Sequence, residues 1–160
     1  LKYIDGEQRV LVNGEDVTQK IRTPKMSMAA SKVSALPAVR DFLFELQRKI
    51  ARENDVIMDG RDIGTVVLPD AQVKIYLTAS PQERARRRHA ELLQKGEKAS
   101  FEEVLADIVE RDYNDSHRAV APLRQAQDAI LVDTTHLDLE KSVERIHQLI
   151  KERQSHVDRL

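Results

Sequence analysis

Apolar and polar positions near the start of the chain fall into short pieces around tight-turn pairs. Lys2-Tyr3-Ile4 precedes Asp5-Gly6, and Arg9-Val10-Leu11-Val12 precedes Asn13-Gly14. Asx-Gly between β-forming residues favours a hairpin turn, so residues 1–22 are expected to form a small antiparallel hairpin unit. Thr23-Pro24 then reads as an N-cap and first helical position for a helix through Met28, Ala29 and Ala30 toward Ala35. Pro37 restarts it, and Val39, Phe42, Leu43, Leu46 and Ile50 recur at three- and four-residue steps. That spacing predicts an amphipathic helix with one buried stripe. Val56-Ile57-Met58 is an apolar run stopped by Asp59-Gly60-Arg61-Asp62, the pattern of a strand buried on both faces.

The second half alternates strands with helices. Pro69-Asp70 makes a turn, and Val73–Leu77 supplies a strand rich in β-formers. Ser80-Pro81-Gln82-Glu83 has the form of a capping box and opens a helix that runs toward Gly96. Ser100 and Glu103 open another, carrying Val104, Leu105, Ile108 and Val109. Ala129–Val132 is a third apolar strand ending in Asp133, and Leu139, Val143, Ile146, Leu149 and Ile150 share one face of a last helix. Strands separated by helices imply an α/β fold with a mostly parallel sheet, here with a small antiparallel β insertion near the visible N-terminus.

Composition narrows the picture. At 160 residues and 41% hydrophobic content the chain is expected to build one main domain. A net charge of -1 gives no global basic field of the kind nonspecific nucleic-acid binding uses. With no cysteine, disulfides and thiolate chemistry are excluded. No apolar run approaches the roughly 20 residues that span a bilayer, and no signal peptide opens the chain, so a soluble cytoplasmic protein is expected. The sequence begins at Leu1, which is read as a start other than that of the gene product.

Three groups of residues could do chemistry. Asp59, Arg61 and Asp62 stand at the carboxyl end of a strand, where loops of an open parallel sheet diverge to leave a ligand crevice; the competing reading is a surface turn whose charges pair with each other. Arg111, Asp115 and Arg118 are spaced i, i+4 and i+7, one face of a helix that runs that far. Arginine forks bind phosphate bidentately, and a carboxylate between them accepts from a sugar hydroxyl or keeps the arginines aimed. A solvated face of salt bridges is the bland alternative. Arg84, Arg86, Arg87 and Arg88 precede a glycine connection between two capped helices, the build of a mobile phosphate-gripping lid, or else of an exposed helix surface or RNA patch. Ser31 and Arg40 bracket Pro37, where a hydroxyl and a guanidinium could read a small polar ring. The five histidines, His89, His117, His136, His147 and His156, are expected on the surface, without metal-ligand spacing.

Taken together, N-G-E-D-V-T at Asn13–Thr18, I-R-T-P at Ile21–Pro24, D-G-R-D-I-G-T-V-V at Asp59–Val67, E-R-A-R-R-R at Glu83–Arg88, E-R-D at Glu110–Asp112 and R-A-V-A-P-L at Arg118–Leu123 closely resemble bacterial cytidylate kinase, in the family's order. The resemblance implies a P-loop nucleoside monophosphate kinase fold with a parallel sheet, a β-rich insertion and a helical lid. Residues 1–52 would belong to the CMP-binding region and 53–160 to the core, with the lid at about 84–118. It implies phosphoryl transfer from ATP to CMP or dCMP, Mg2+ accompanying ATP, a monomer, and no nucleic-acid or membrane partner. By position, Ser31, Arg40 and Asp62 resemble the readers of the cytosine ring, Arg61 and Arg118 the clamps on the CMP phosphate, and Arg111 and Asp115 the groups toward the ribose. Asp59 resembles the acid that reaches magnesium through water. Arg87, with Arg84 or Arg88, resembles the lid's hold on ATP and the transferring group.

The departure from the family is large: the sequence contains no G-x-x-x-x-G-K-[ST] stretch, the loop that cradles ATP phosphates. The first strand, expected between Val56–Met58 and Val73–Leu77, is also missing. The chain is therefore read as the C-terminal portion of a longer kinase, inactive without its P-loop. The alternative is a noncatalytic nucleotide- or RNA-binding fragment.

Overall fold

The computed structural model describes residues 1–34 and 36–157, without the side chains of Pro24, Lys25, Ser27, Met28, Ser31 and residues 154–157. Two compact units divide the chain, Leu1–Val56 and Ile57–Leu160.

In the first unit β1 (Lys2–Ile4) pairs antiparallel with β2 (Glu7–Arg9), and β3 (Leu11–Val12) with β4 (Glu15–Asp16). Asp5 and Asn13 adopt φ of 53° and 52°, followed by Gly6 and Gly14 at 78° and 86°. Two consecutive left-handed residues are what a two-residue hairpin turn requires, so both Asx-Gly pairs turn as expected. The expected hairpin unit is two hairpins in tandem, joined where Val17 N–H donates to the Val10 carbonyl at 2.9 Å and Val10 N–H to Thr18 Oγ1 at 2.9 Å. Helix α1 (Pro24–Ser34) is capped by Thr23, whose Oγ1 accepts from Met26 N–H at 3.3 Å, and α2 (Pro37–Glu53) starts at Pro37.

One expectation about α2 fails. None of its residues is buried, and Phe42 is 67% exposed. Periodicity shows which side of a helix is apolar; burying that side needs an opposing surface, and Thr18 is the one buried residue of this unit among those described.

In the second unit β5 (Ile75–Thr78) and β6 (Ile130–Asp133) form a parallel ladder, Ile75 opposite Ile130 and Thr78 opposite Asp133. With the hairpins this is a mixed α/β architecture. Between the strands lie α3 (Pro81–Gln94) and α4 (Phe101–His117), and α5 (Leu139–Val157) follows β6. Ala85 and Leu92 of α3 pack on Val104 of α4, with Ala99, Phe101, Leu105 and Ile108 around them. Gly96 ends α3 at φ 75°, the left-handed conformation that glycine adopts without a Cβ penalty.

Val56–Met58 is not a strand. Among the described residues it joins no ladder, and Ile57 is 94% exposed. An apolar run becomes a strand only where another backbone takes up its amides and carbonyls, and here β5 and β6 pair with each other. No helix among the described residues is long and apolar enough to cross a membrane.

Candidate functional site

The turn that follows Met58 is held by its own backbone. Asp62 carbonyl accepts from the amides of Thr65, Val66 and Val67 at 3.3, 2.9 and 3.2 Å, and Leu68 N–H donates to Ile63 carbonyl at 2.7 Å. These bonds wind Ile63–Val67 into one wide helical turn, a form enriched at functional sites. Gly60 permits it: a Cβ there would fall 2.8 Å from Ile63 Cγ1. The coil fixes Asp62, whose side chain is 12% exposed.

Helix α4 and the segment after it approach this turn. Arg61 Nε donates to Asp115 Oδ2 at 2.7 Å, and Arg111 Nε lies 3.9 Å from the same oxygen. Asp115 is 16% exposed, and its carbonyl accepts from Leu123 N–H at 2.8 Å. The helix ends at His117, so Arg118 is its extended C-cap and not the third residue of a helical face as expected. Arg118 reaches the group all the same. Its Nε donates to the Ala121 carbonyl at 2.6 Å, and one terminal nitrogen lies 3.8 Å from Asp62 Oδ1. That nitrogen, Nη2, is buried without a hydrogen-bond acceptor. Three guanidiniums thus face two carboxylates in one cluster, with net positive charge and a donor still to be satisfied.

The other expected site residues stand as follows. Asp59 is exposed at the edge of the same turn. Arg40 lies in the first turn of α2, in the other unit, and Ser31 on α1 has a side chain outside the described residues. The lid arginines that the resemblance sets toward ATP, Arg84, Arg87 and Arg88, all have protein partners. Arg84 donates from Nε to the Ala79 carbonyl at 3.0 Å and from both terminal nitrogens to Asp112 at 2.9 and 2.5 Å. Arg87 donates to Glu83 at 2.8 Å, to the Thr134 carbonyl at 2.6 Å and to the Leu137 carbonyl at 3.1 Å. Arg88 pairs with Glu91 at 2.8 Å.

The capping box expected at Ser80 is half formed. Ser80 Oγ accepts from Glu83 N–H at 3.2 Å, but Ser80 N–H donates to Thr135 Oγ1 at 2.9 Å. The Glu83 carboxylate is engaged by Arg86 and Arg87, and those two hydrogen bonds hold its pKa down at about 2. Ser100 and Glu103, by contrast, form the complete reciprocal box. Of the histidines, His117, His136 and His147 are exposed and His156 lies outside the described side chains. His89 departs from the expectation: half-buried, its Nε2 sits 3.0 Å from the Ala99 carbonyl and its ring meets Phe101 edge-on. No group of three His, Asp or Glu side chains placed to hold a metal occurs among the described residues.

Sequence reasoning left Asp112 and Ala121 without roles. Asp112 carried a signal, its place between Arg111 and Asp115 in one charged run; the Ala121 carbonyl, set at φ 47°, carried none.

Comparison with known proteins adds an independent finding. The family model described as cytidylate kinase matches residues 2–152. A cytidylate kinase of Carboxydothermus hydrogenoformans is 55% identical over 152 residues, 94% of this chain and 68% of that protein. One from Thermosipho melanesiensis is 49% identical over 96% of this chain and 70% of its own length, and one from Lactobacillus gasseri 50% identical over 96% and 66%. The chain spans about two thirds of the length of these relatives, and on the extent and level of this similarity it belongs to the cytidylate kinase family.

Proposed function

We propose that the protein transfers the γ-phosphoryl group of ATP to CMP or dCMP, and that the cluster of Arg61, Asp62, Arg111, Asp115 and Arg118 grips the monophosphate. The observation that carries this reading is Arg118 Nη2, a buried charged donor with no hydrogen-bond acceptor, 3.8 Å from Asp62. A buried unsatisfied donor costs about 1–3 kcal/mol, more when charged, and a phosphate oxygen removes that cost.

In this reading Arg61 and Arg118 clamp the phosphate, while Arg111 and Asp115 face the ribose. Asp62 accepts from the exocyclic amino group of cytosine; uracil offers a carbonyl there and is repelled. For Ser31 and Arg40, which belong to the other unit, a base-reading role rests on the family resemblance alone. A phosphate oxygen of CMP attacks the γ-phosphorus, the bond to the β,γ-bridging oxygen breaks, and ADP leaves. The acceptor oxygen is already anionic near neutral pH, so no general base is needed and catalysis is alignment plus neutralisation of charge. Arg87 and Arg88 serve on the ATP side, Arg88 by exchanging its exposed partner Glu91. Asp59 would hold magnesium through water, and the ion would supply charge neutralisation on the phosphates; a lone carboxylate suits an ion that keeps most of its water. Because the sequence contains no G-x-x-x-x-G-K-[ST] stretch, ATP binding and turnover are proposed for the whole protein and not for these 160 residues alone. It acts as a cytoplasmic monomer on soluble nucleotides.

Calorimetric titration with CMP, UMP and a short RNA at two salt concentrations tests the reading. The expected result is CMP bound more tightly than UMP with a shallow salt dependence. RNA bound most tightly, with affinity falling steeply as salt rises, would replace it with an RNA-binding module.

A further inference from the structure

Arg84 stands in the first turn of α3 among residues first read as phosphate ligands, yet its donors go to the protein. Nε holds the Ala79 carbonyl at the end of β5, and the fork closes on both oxygens of Asp112 at 2.9 and 2.5 Å. Bidentate geometry fixes direction as well as distance. Asp112 follows Arg111 directly and lies three residues before Asp115, in the last turns of α4. The apolar packing between α3 and α4 involves Phe101, Val104, Leu105 and Ile108, all further back along α4. Among the described residues, the Arg84–Asp112 pair ties the part of α4 beyond Ile108 back to α3 and the end of β5.

We propose that Arg84 and Asp112 are positioning residues. One guanidinium fastens the end of β5, the start of α3 and the end of α4, and so sets Asp115 against the Arg61–Asp62 turn. This inference rests on the proposed nucleotide site, which it extends. It removes Arg84 from the groups that contact ATP: the residue acts on the nucleotide through α4.

A double-mutant cycle on CMP affinity in the intact protein tests it, with folding of each variant monitored by thermal unfolding. Asp112→Asn is expected to weaken CMP about tenfold in the wild-type background and to have little further effect once Asp115→Ala has removed the group being positioned. Arg84→Lys keeps the charge but loses the fork, and is expected to weaken CMP nearly as much. A merely structural pair would lower the melting temperature while leaving CMP affinity unchanged below it, or would cost the same factor in both backgrounds; either result overturns the proposal. Should Asp112→Asn not fold, Arg84→Lys with and without Asp115→Ala decides alone. Absence of CMP binding by the wild-type protein would refute the nucleotide site itself, a distinguishable outcome.

Discussion

Asp62 and Arg118 face each other at 3.8 Å, an ion pair too long to be a hydrogen bond, and Arg118 Nη2 is buried there without an acceptor. If Asp62 reads the cytosine amino group, Asp62→Ala weakens CMP by roughly ten- to a hundredfold, the range for a lost hydrogen bond to a charged group, while UMP changes little. Equal losses for the two nucleotides in a calorimetric comparison would remove Asp62 from base recognition. Arg118 is tested through its fork. Arg118→Lys preserves charge but cannot satisfy two phosphate oxygens in one plane, so CMP is expected to bind about tenfold more weakly and cytidine, lacking the phosphate, equally well. A parallel loss for cytidine would mean that the substitution disturbed the pocket and not a phosphate contact. At this scale the members of the cluster were legible, because Arg61-Asp62 interrupts an apolar run and Arg111 and Asp115 share a helical face. Their pairings were not. Arg84 meets Asp112 across 28 residues and Arg87 meets Thr134 across 47, and no local pattern encodes which of several arginines does so.

Elements were readable wherever their physics is local. The Asx-Gly turns, the Thr23 and Ser100 caps and the Pro37 restart all form as expected, since each depends on residues within about four positions of one another. Ser80 shows where locality ends: Thr135, from beyond β6, takes its amide, and the carboxylate that would have closed the box turns to Arg86 and Arg87. That substitution has a consequence for pH. Glu83 titrates at about 2 in the folded protein against 4.5 ordinarily, so the unfolded chain takes up the proton first as pH falls. Its contribution is therefore complete above about pH 4.5 and is lost progressively toward pH 2. Glu83→Gln is expected to melt below the wild type at neutral pH, and the difference between them should close as the pH drops through that window. A difference that stayed constant down to pH 2 would mean the Arg86 and Arg87 bonds contribute nothing that depends on the charge of Glu83.

For the molecule as a whole, burial is where pattern and structure part. Val56–Met58 and the stripe on α2 have the composition of interior elements, yet Ile57 and Phe42 are exposed, as are Leu77 and Leu131 on the parallel ladder. Apolar periodicity reports what a surface is suited to meet, and the meeting itself depends on chain elsewhere. A two-stranded parallel ladder leaves a free edge on each strand, while parallel sheets are ordinarily covered on both faces. In a wider sheet those edges would be paired and the apolar faces covered. The 160-residue chain by itself is then expected to bind an environment-sensitive hydrophobic dye in native buffer and to unfold in urea over a broader range than a fully packed chain of its size. Leu77→Lys, placed on the exposed position of β5, should lower dye binding in the short chain, yet destabilise an enzyme in which that face is covered, because a buried ammonium without a partner is costly. A short chain that ignored the dye and unfolded in one sharp transition would show that β5 and β6 need no further strand.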